Sequence, residues 1–469
     1  MDVTSIVGRW MLAVGAAGAI AGCAIKGPPT ASDIQREALA HTAVPVDWKT
    51  KLGPVQPVTD QWLISFNDPV LAALVDEALA HNADLQITSA RVEQAAGLVK
   101  VAGATLYPAV GVLAHGGGKA GGDGGLQGIW LNASLELDVW GRVRYGRAAA
   151  QAQFASADAD YAYARQSLAA GVAKSYFLAV EASLQRSIAQ DVVRASDELL
   201  RLVGERLRIG VGDEQAVAEA RAYLATYRDT LRQIEYSRDQ ALRALELLVG
   251  RYPGAEVAVA QQLATMPGPV PVGLPSAILE RRPDVIAAER RVAAAFNRVE
   301  EAKAALLPRI SLTAGGSNVS SELFVLKDHS NPVWSLGANL IAPLYQGGAL
   351  RAQVEIRTAE QKQAVAEYAR AAQRAFSEVE NALSAEVALR DRDMILIENI
   401  QDNQRALDLA QVQYKVGKID LRIVQQRQLA LYGARTSRLQ VQSEQLAQRV
   451  NLHLALGGSF EAPEKAASR

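Results

Sequence analysis

Two hydrophobic periodicities alternate along the chain. From 131 to 139 apolar and polar residues alternate strictly, which is typical of a β-strand with one apolar and one polar face. Elsewhere, proline-free segments place apolar residues every three or four positions, which predicts helices. One such series runs from Leu168 to Val192 in steps of four, and another from Val365 to Val387 follows an eleven-residue period. The pattern therefore predicts a mainly helical protein with a small β part.

The predicted elements occur in the same order twice. A helix comes first, followed by two strands, a very long helix, a glycine turn and a shorter return helix. The predicted strands are 109–115, 129–139, 310–317 and 333–341. The predicted helices are 69–105, 142–209 and 213–249 in the first half, and 283–306, 349–416 and 421–456 in the second.

Residue identities support an internal repeat. Arg91 and Pro108 match Arg291 and Pro308 at one offset, and Gly210 aligns with Gly417 further on. We therefore expect repeats at 69–250 and 276–457, joined by a proline-rich linker at 251–275. The remaining segments are an N-terminal extended or equatorial segment at 23–68 and a C-terminal tail at 458–469.

Composition and charge exclude several classes of protein. The 469 residues include 49% hydrophobic and 21% charged residues, which is unlike a disordered chain. The formal net charge is −1, so there is no basic footprint for nucleic acid. The five histidines are scattered without metal-ligand spacing, and no nucleophile elbow is present. The sequence predicts no enzyme activity, no catalytic residues, no metal site and no cofactor. Pro283 and Asp284 of the "RRPD" segment fit the start of a helix.

The single cysteine lies in a distinctive N-terminal context. A short apolar run follows Arg9 and ends in "IAGC" at Cys23, which is similar to a bacterial lipoprotein signal. We expect residues 1–22 to be a signal peptide and Cys23 to carry lipid, which would tether the chain to a membrane. The alternative is an ordinary signal peptide with a chance cysteine.

Four strands are too few to close a membrane barrel, and an open sheet edge is not tolerated in lipid. The strands therefore either pack on helices or join strands from other copies, and three chains would supply twelve. In that arrangement the apolar face of 131–139 contacts lipid and the polar face lines a water-filled lumen. The predicted lumen residues are Asn132, Ser134, Glu136 and Asp138. The two carboxylates would bias the lumen toward cations, or would only solvate it.

Motifs through nearly the whole chain carry a family resemblance. They are "QWLISFNDPVLAALVDEAL", "NADLQITSARVEQA", "LELDVWGRVRYGRAAAQAQ", "LPSAILERRPDVIAAERRV", "APLYQGGALRAQ", "AFSEVENAL", "QYKVG" and "LALGG". The chain resembles TolC-type outer-membrane efflux proteins of the NodT-like lipoprotein branch. This resemblance implies a homotrimer with a twelve-stranded barrel in outer-membrane lipid and a long α-helical barrel in the periplasm. It also implies a periplasmic adaptor and an inner-membrane resistance-nodulation-division transporter as partners.

The same resemblance assigns roles to the glycine turns. They read as helix C-caps, and the family adds contact with the adaptor at Ile209, Gly210, Val211, Gly212, Val416, Gly417, Lys418 and Ile419. The family's periplasmic gate maps to Tyr414, Arg422, Ile423, Gln426 and Glu219. Positions that often carry aspartate in the family hold Ile423 and Gln426 here, so closure would rest on hydrogen bonds and apolar contacts.

Three other classes of protein are alternatives to a small-molecule exit duct. A duct for a type I protein-secretion system uses the same architecture, so the sequence does not exclude this alternative. A coiled-coil scaffold predicts a steady heptad and no alternating strands, and a porin predicts strands along its whole length, so the sequence favours neither.

Overall fold

A computed structural model describes residues 26–51, 56–115, 127–320 and 333–461. Within them the chain is mainly helical with one four-stranded sheet, and the predicted fold class is confirmed. In chain order the elements are α1 (Ala31–Ala38), α2 (Pro69–His81), α3 (Ala83–Ala104), β1 (Ala109–His115), β2 (Gln127–Leu137), α4 (Arg142–Arg208), α5 (Glu214–Val249), α6 (Ile278–Arg281), α7 (Pro283–Ala304), β3 (Arg309–Ser320), β4 (Val333–Ile341), α8 (Ala349–Lys415) and α9 (Leu421–Ala455). Short 3-10 helices occupy Trp62–Phe66 and Pro275–Ala277.

The helix predicted for 69–105 is broken in two. Asn82 adopts an extended conformation between α2 and α3, with ψ of 125°. Its side chain explains the break. Nδ2 donates to the Leu248 carbonyl at 2.9 Å, and Oδ1 accepts from the Leu85 N–H at 3.0 Å. Asn82 thus caps the second helix and ties it to the end of α5, a contact that helical periodicity does not reveal.

The second repeat has a matching break at Arg282, which has ψ of 120° and separates α6 from α7. Pro283 then supplies the first residue of α7, where its missing N–H costs no helical hydrogen bond. The two breaks lie at equivalent places in the repeats, before helices that lead to the strand pairs.

The sheet has the order β1-β2-β3-β4, and every pairing is antiparallel. Each repeat therefore contributes one hairpin, and the two hairpins join through β2 and β3. The predicted bounds of β2 were wrong at its end, because the strand stops at Leu137 and not at Val139. The Asp138 carboxylate accepts from the Val143 and Arg144 N–H groups, both at 2.9 Å, and so turns the chain into α4.

The two long helices, α4 and α8, have 67 residues each, so each is about 100 Å long at 1.5 Å per residue. The apolar series predicted on them fall on their covered faces. Val172, Tyr176 and Val180 are buried on α4, and Tyr368 and Leu383 are buried on α8. Small side chains between them, such as Ala169 and Ala173, allow helices to approach closely.

The described residues divide into two compact units, one within 1–43, 90–160 and 286–371 and the other within 44–89, 161–285 and 372–469. The first contains the sheet, and its buried residues include Val292, Val299 and Tyr368. The second has a large apolar core that includes Leu71, Phe177 and Leu245.

The segment 23–68, predicted to be an extended or equatorial segment, contains local structure in its described residues. It contains α1 and the 3-10 helix Trp62–Phe66, and Ile34, Trp48 and Trp62 are buried. A Thr30–Asp33 capping box starts α1. The segment folds because its few large apolar side chains pack against the helices.

Candidate functional site: the sheet and the helix turns

Register gives the sheet one continuous apolar face. Residues directly opposite on neighbouring strands share a face of the sheet. The register places the apolar residues of all four strands opposite one another, so they lie on the same face. The apolar face comprises Val110, Val112, Leu131, Ala133, Leu135, Leu137, Ile310, Leu312, Ala314, Gly316, Trp334, Leu336, Ala338 and Leu340. Leu336 is 91% exposed and Trp334 is 74% exposed, so none of the described residues covers this face there.

The opposite face is mostly polar and carries small residues beside hydroxyl and amide groups. A Cβ on Gly111 would lie 3.1 Å from Asn132 Oδ1, and one on Gly337 would lie 3.0 Å from Thr313 Oγ1. Asn132, Ser134 and Glu136, three of the predicted lumen residues, lie on this face of β2. Asp138, the fourth, is not a strand residue.

Both carboxylates predicted to bias the lumen are already neutralised. Arg142 donates to both Glu136 oxygens, with Nη2 2.7 Å from Oε2 and Nε 3.0 Å from Oε1. Arg144 Nε lies 3.0 Å from Asp138 Oδ2, in addition to the two backbone N–H groups. The sequence left open whether these carboxylates bias the lumen toward cations or only solvate it, and in the structure arginines at the start of α4 pair with both.

Aromatic residues mark both ends of the sheet. Tyr107 and Tyr345 flank the helix-proximal end of β1 and β4 and are 69% and 89% exposed. Trp140, at the same end, donates from its indole nitrogen to the Pro308 carbonyl at 2.8 Å. Trp334 lies near the other end, seven residues along β4 from Ile341. The nine residues of β4 rise about 30 Å at 3.4 Å per residue.

The turn between α4 and α5 is a glycine-capped helix end. The Val211 N–H donates to the Arg206 carbonyl and the Gly210 N–H to the Leu207 carbonyl, each at 3.0 Å, which is the Schellman pattern. Gly210 has φ of +79°, a conformation that glycine adopts without strain. Ile209 and Val211 are exposed beside it, and Asp213 caps α5 by accepting from the Ala216 N–H.

The turn between α8 and α9 repeats this construction. The Lys418 N–H donates to the Gln413 carbonyl at 2.9 Å, and Gly417 has φ of +75°. Asp420 caps α9. Val416 is 65% exposed, whereas Ile419 packs against an apolar cluster that includes Leu421 and Val424. Gly212 is constrained as well, since a Cβ there would lie 2.9 Å from the Leu207 nitrogen.

The predicted gate residues do not form one cluster within the chain. Tyr414 is buried, and burial raises the pKa of its hydroxyl. Arg422, Ile423 and Gln426 lie on the exposed side of α9. Glu219 is half-buried on α5 and accepts from Gln215 Nε2 at 3.0 Å.

Two features near the turns were not predicted from the sequence, the contacts of Arg206 and the burial of Gln425. Arg206 lies over the Tyr414 ring at 5.0 Å and donates to the Tyr414 carbonyl at 3.2 Å, so it links the two helix hairpins. The alignment of repeats placed Arg206 opposite Gln413, next to Tyr414, which was an available signal. Gln425 is only 1% exposed. Sequence gives no signal for it, because an amide on a helix normally faces water.

The described ranges bear on metal binding and on membrane-spanning helices. There, no group of histidine, cysteine, aspartate and glutamate is arranged to hold a metal ion. None of the helices in the same ranges combines the length and apolar character that a membrane span requires. Cys23, the predicted lipidation site, lies outside the described residues. Lys26 is the first described residue. Its backbone N–H donates to the hydroxyl of Tyr145, in the first turn of α4, at 2.8 Å.

Comparison with known proteins identifies the family. The family described as outer membrane efflux protein matches residues 74–251 and 274–458. The chain is 30% identical over 448 residues to the pyoverdine export outer membrane protein OpmQ of Pseudomonas aeruginosa, covering 91% of this chain and 94% of that protein. It is 28% identical over 457 residues to the cation efflux system protein CusC of Escherichia coli K12, covering 94% and 97%.

A solved structure agrees with these relatives. The open state of the MtrE outer membrane channel of Neisseria gonorrhoeae matches with a TM-score of 0.78 and 26% identity, covering 93% of this chain and 98% of that one. The TolC-type resemblance is thereby confirmed. The chain belongs to the outer membrane efflux protein family and is an outer-membrane channel protein of the efflux class.

Proposed function

We propose that three copies of this chain form the exit duct of a tripartite efflux system. The observation that carries the proposal is the sheet with two open edges, β1 and β4, and one uncovered apolar face. In lipid the unpaired backbone groups of those edges need partners. Pairing of β1 with β4 of the next copy satisfies them, and three copies close a twelve-stranded barrel.

The apolar face and its aromatic borders fit a bilayer position for that barrel. Strands of nine to twelve residues, as in β2, β3 and β4, are long enough to cross at a tilt. Tyr107 and Tyr345 at one end and Trp334 at the other match the aromatic girdles of outer-membrane barrels. The polar face, with Asn132 and Ser134, then lines the lumen.

The long helices would form the periplasmic part of the duct, with residues 69–250 and 276–457 as its two repeats. We assign no catalytic role to the chain, so energy would come from an inner-membrane resistance-nodulation-division transporter through a periplasmic adaptor. Two relatives are named for export of pyoverdine and efflux of cations, which supports small molecules as cargo. A type I secretion partner is the alternative.

The glycine turns are proposed to meet the adaptor. Their exposed apolar residues, Ile209, Val211 and Val416, offer contacts that the chain itself does not cover. Gly210 and Gly417 fix the chain direction there. The proposed gate combines Tyr414, Arg422, Ile423, Gln426 and Glu219, with the Arg206–Tyr414 contact joining the two hairpins.

We propose further that Cys23 is lipidated, as in the NodT-like branch. The hydrogen bond from Lys26 to Tyr145 supports this, because it holds the chain three residues after Cys23 beside the first turn of α4. Lipid attached there would enter the leaflet next to the sheet. Mass spectrometry of the mature N-terminus tests it, since Cys23→Ser removes any acyl mass, and an unmodified wild-type cysteine contradicts it.

The exit duct is tested by drug accumulation. Deletion of the gene should raise intracellular dye, and wild type should restore efflux. Gly417→Pro should not restore it, because proline cannot adopt φ of +75° or donate the Gly417 N–H to the Tyr414 carbonyl. Gly433→Ala, in the interior of α9 with open space around it, is the control that should restore efflux.

Outer-membrane amounts of each variant are measured in parallel. Unchanged dye levels after deletion, in a strain without other exit ducts, contradict small-molecule efflux and favour secretion of a protein. A chain that remains monomeric in detergent contradicts the trimer.

A further inference from the structure

We propose that the sheet lumen selects small organic anions, through a ring of Arg309 side chains. This inference rests on the proposed trimer and deepens it by naming a class of cargo. Its basis is the distribution of charge on the polar face of the four strands, where one positive charge is left without a partner.

The described strands contain only two charged residues, Glu136 on β2 and Arg309 on β3. Both carboxylate oxygens of Glu136 accept hydrogen bonds from Arg142. This pair is neutral, and it holds the Glu136 oxygens away from a passing cation.

Asp138 is engaged at the start of α4 and forms no ion pair with Arg309 in the described residues. Its Oδ1 accepts from the Val143 N–H, and its Oδ2 accepts from the Arg144 N–H and the Arg144 Nε. Counting the five charged residues Glu136, Asp138, Arg142, Arg144 and Arg309, three arginines face two carboxylates. Among these five residues, Arg309 is the one without an ion pair in the described part of the chain.

Arg309 lies where a lumen charge would act. It is exposed, and among the described residues no carboxylate lies within ion-pair distance of it. Its register places it opposite Ile341, on the polar face next to Ser311. Because β3 is a central strand, both of its neighbours belong to the same chain, so pairing at the sheet edges brings no new carboxylate beside it.

Threefold assembly turns this single residue into a ring. Rings of arginine or lysine side chains favour anions in pores, as acidic rings favour cations. The cargo that this ring accepts best is a small molecule with carboxylate or similar anionic groups, whereas multiply charged cations are disfavoured.

The test is the reversal potential of the full mature protein in a planar bilayer across a KCl gradient. Wild type should show the sign given by Cl⁻ permeation. Arg309→Gln should move the potential toward zero, and Arg309→Glu should change its sign. Arg36→Gln, with the same change of charge on α1 outside the sheet, should leave it unchanged.

A second variant should shift the reversal potential in the direction opposite to that of Arg309→Gln. Glu136→Gln frees Arg142 and should strengthen the preference for Cl⁻. Cation preference in wild type, or no effect of either substitution in conducting channels, overturns the anion proposal and leaves the duct intact. Trimers that never conduct, or chains that never trimerise, overturn the proposed duct and the anion proposal with it.

Discussion

At the residue scale, Gln425 is a buried amide without a hydrogen-bond partner. It is 1% exposed, and neither Nε2 nor Oε1 has a partner among the described residues. It lies on the face of α9 that also buries Leu421 and Val424, near the turn proposed to meet the adaptor. A buried polar group without a partner costs about 1–3 kcal/mol. This part of the protein is therefore less stable with Gln425 than it would be with an apolar side chain at the same position.

Gln425→Leu should therefore stabilise this end of the helix hairpins. We expect slower amide exchange in the first turns of α9 and a gain of about 1 kcal/mol or more, because leucine removes the unmet polar atoms. Gln426→Leu, on the exposed side, is the matched control and should give no such gain. Faster exchange in Gln425→Leu would show that the amide is bonded in the assembled protein.

His453 should make the chain sensitive to acid. It stacks on Trp62, with ring centroids 5.9 Å apart, and burial with repulsion from Arg449 lowers its pKa to about 3. The unfolded chain binds the proton near pH 6.5, so this site favours folding above that pH. Its contribution is lost as pH falls toward 3, with a slope of at most about 1.4 kcal/mol per pH unit.

His453→Phe retains an aromatic ring and removes the titration. Between pH 7 and pH 5 its melting temperature should fall less than that of wild type. His41→Phe, at an exposed position, is the control, and its melting temperature should change with pH as that of wild type does. If the melting temperatures of His453→Phe and wild type change equally between pH 7 and pH 5, the His453 imidazole does not affect unfolding in this pH range.

At the element scale, Arg282 joins three helices where the chain breaks between α6 and α7. Its guanidinium is 1% exposed and contacts Asp284 at 2.8 Å, Glu378 of α8 at 2.7 Å and the Ala455 carbonyl of α9 at 3.1 Å. The equivalent break in the first repeat uses Asn82 to reach the end of α5. Each break is thus fixed by its side chain to the end of a return helix.

Arg282→Met should lower the free energy of unfolding by about 2–3 kcal/mol, because Asp284 loses its buried cation, whereas Glu378 keeps its ion pair with Arg374. Arg290→Met is the control, since Arg290 is half exposed and lies 3.8 Å from Glu289, a pair worth about 0–1 kcal/mol. Chemical denaturation of the detergent-solubilised protein measures both. Similar losses in the two variants would contradict the structural role of Arg282.

At the scale of the whole molecule, assembly depends on which face of the sheet contacts lipid. Leu336→Arg places a charge on the apolar face and should reduce outer-membrane insertion, with a cost of about 2–4 kcal/mol per copy near the bilayer centre. Asn339→Arg, on the polar face of the same strand, should still insert. Fractionation followed by trimer detection compares the two. Normal insertion of Leu336→Arg would contradict the assignment of the faces.

The sequence by itself determined the elements of this protein and their repetition. Period-two alternation and period-3.6 series are local properties, so the strands, the long helices and the glycine turns at Gly210 and Gly417 could be predicted from residue types alone. The family followed from motifs distributed along the chain. Where the prediction was wrong, as at Asn82 and Asp138, the cause was a side chain that bonds to a distant or later backbone group.

Only the tertiary structure decided how the charges are paired and which polar groups are buried. The alternating pattern placed Glu136 on a solvated face, but it could not show that Arg142 neutralises it or that Arg309 has no carboxylate partner among the described residues. Likewise, helical periodicity could not distinguish Gln425 from Gln426 as the buried amide. These outcomes depend on distances between side chains across elements, and the order of residues along a chain does not specify such distances.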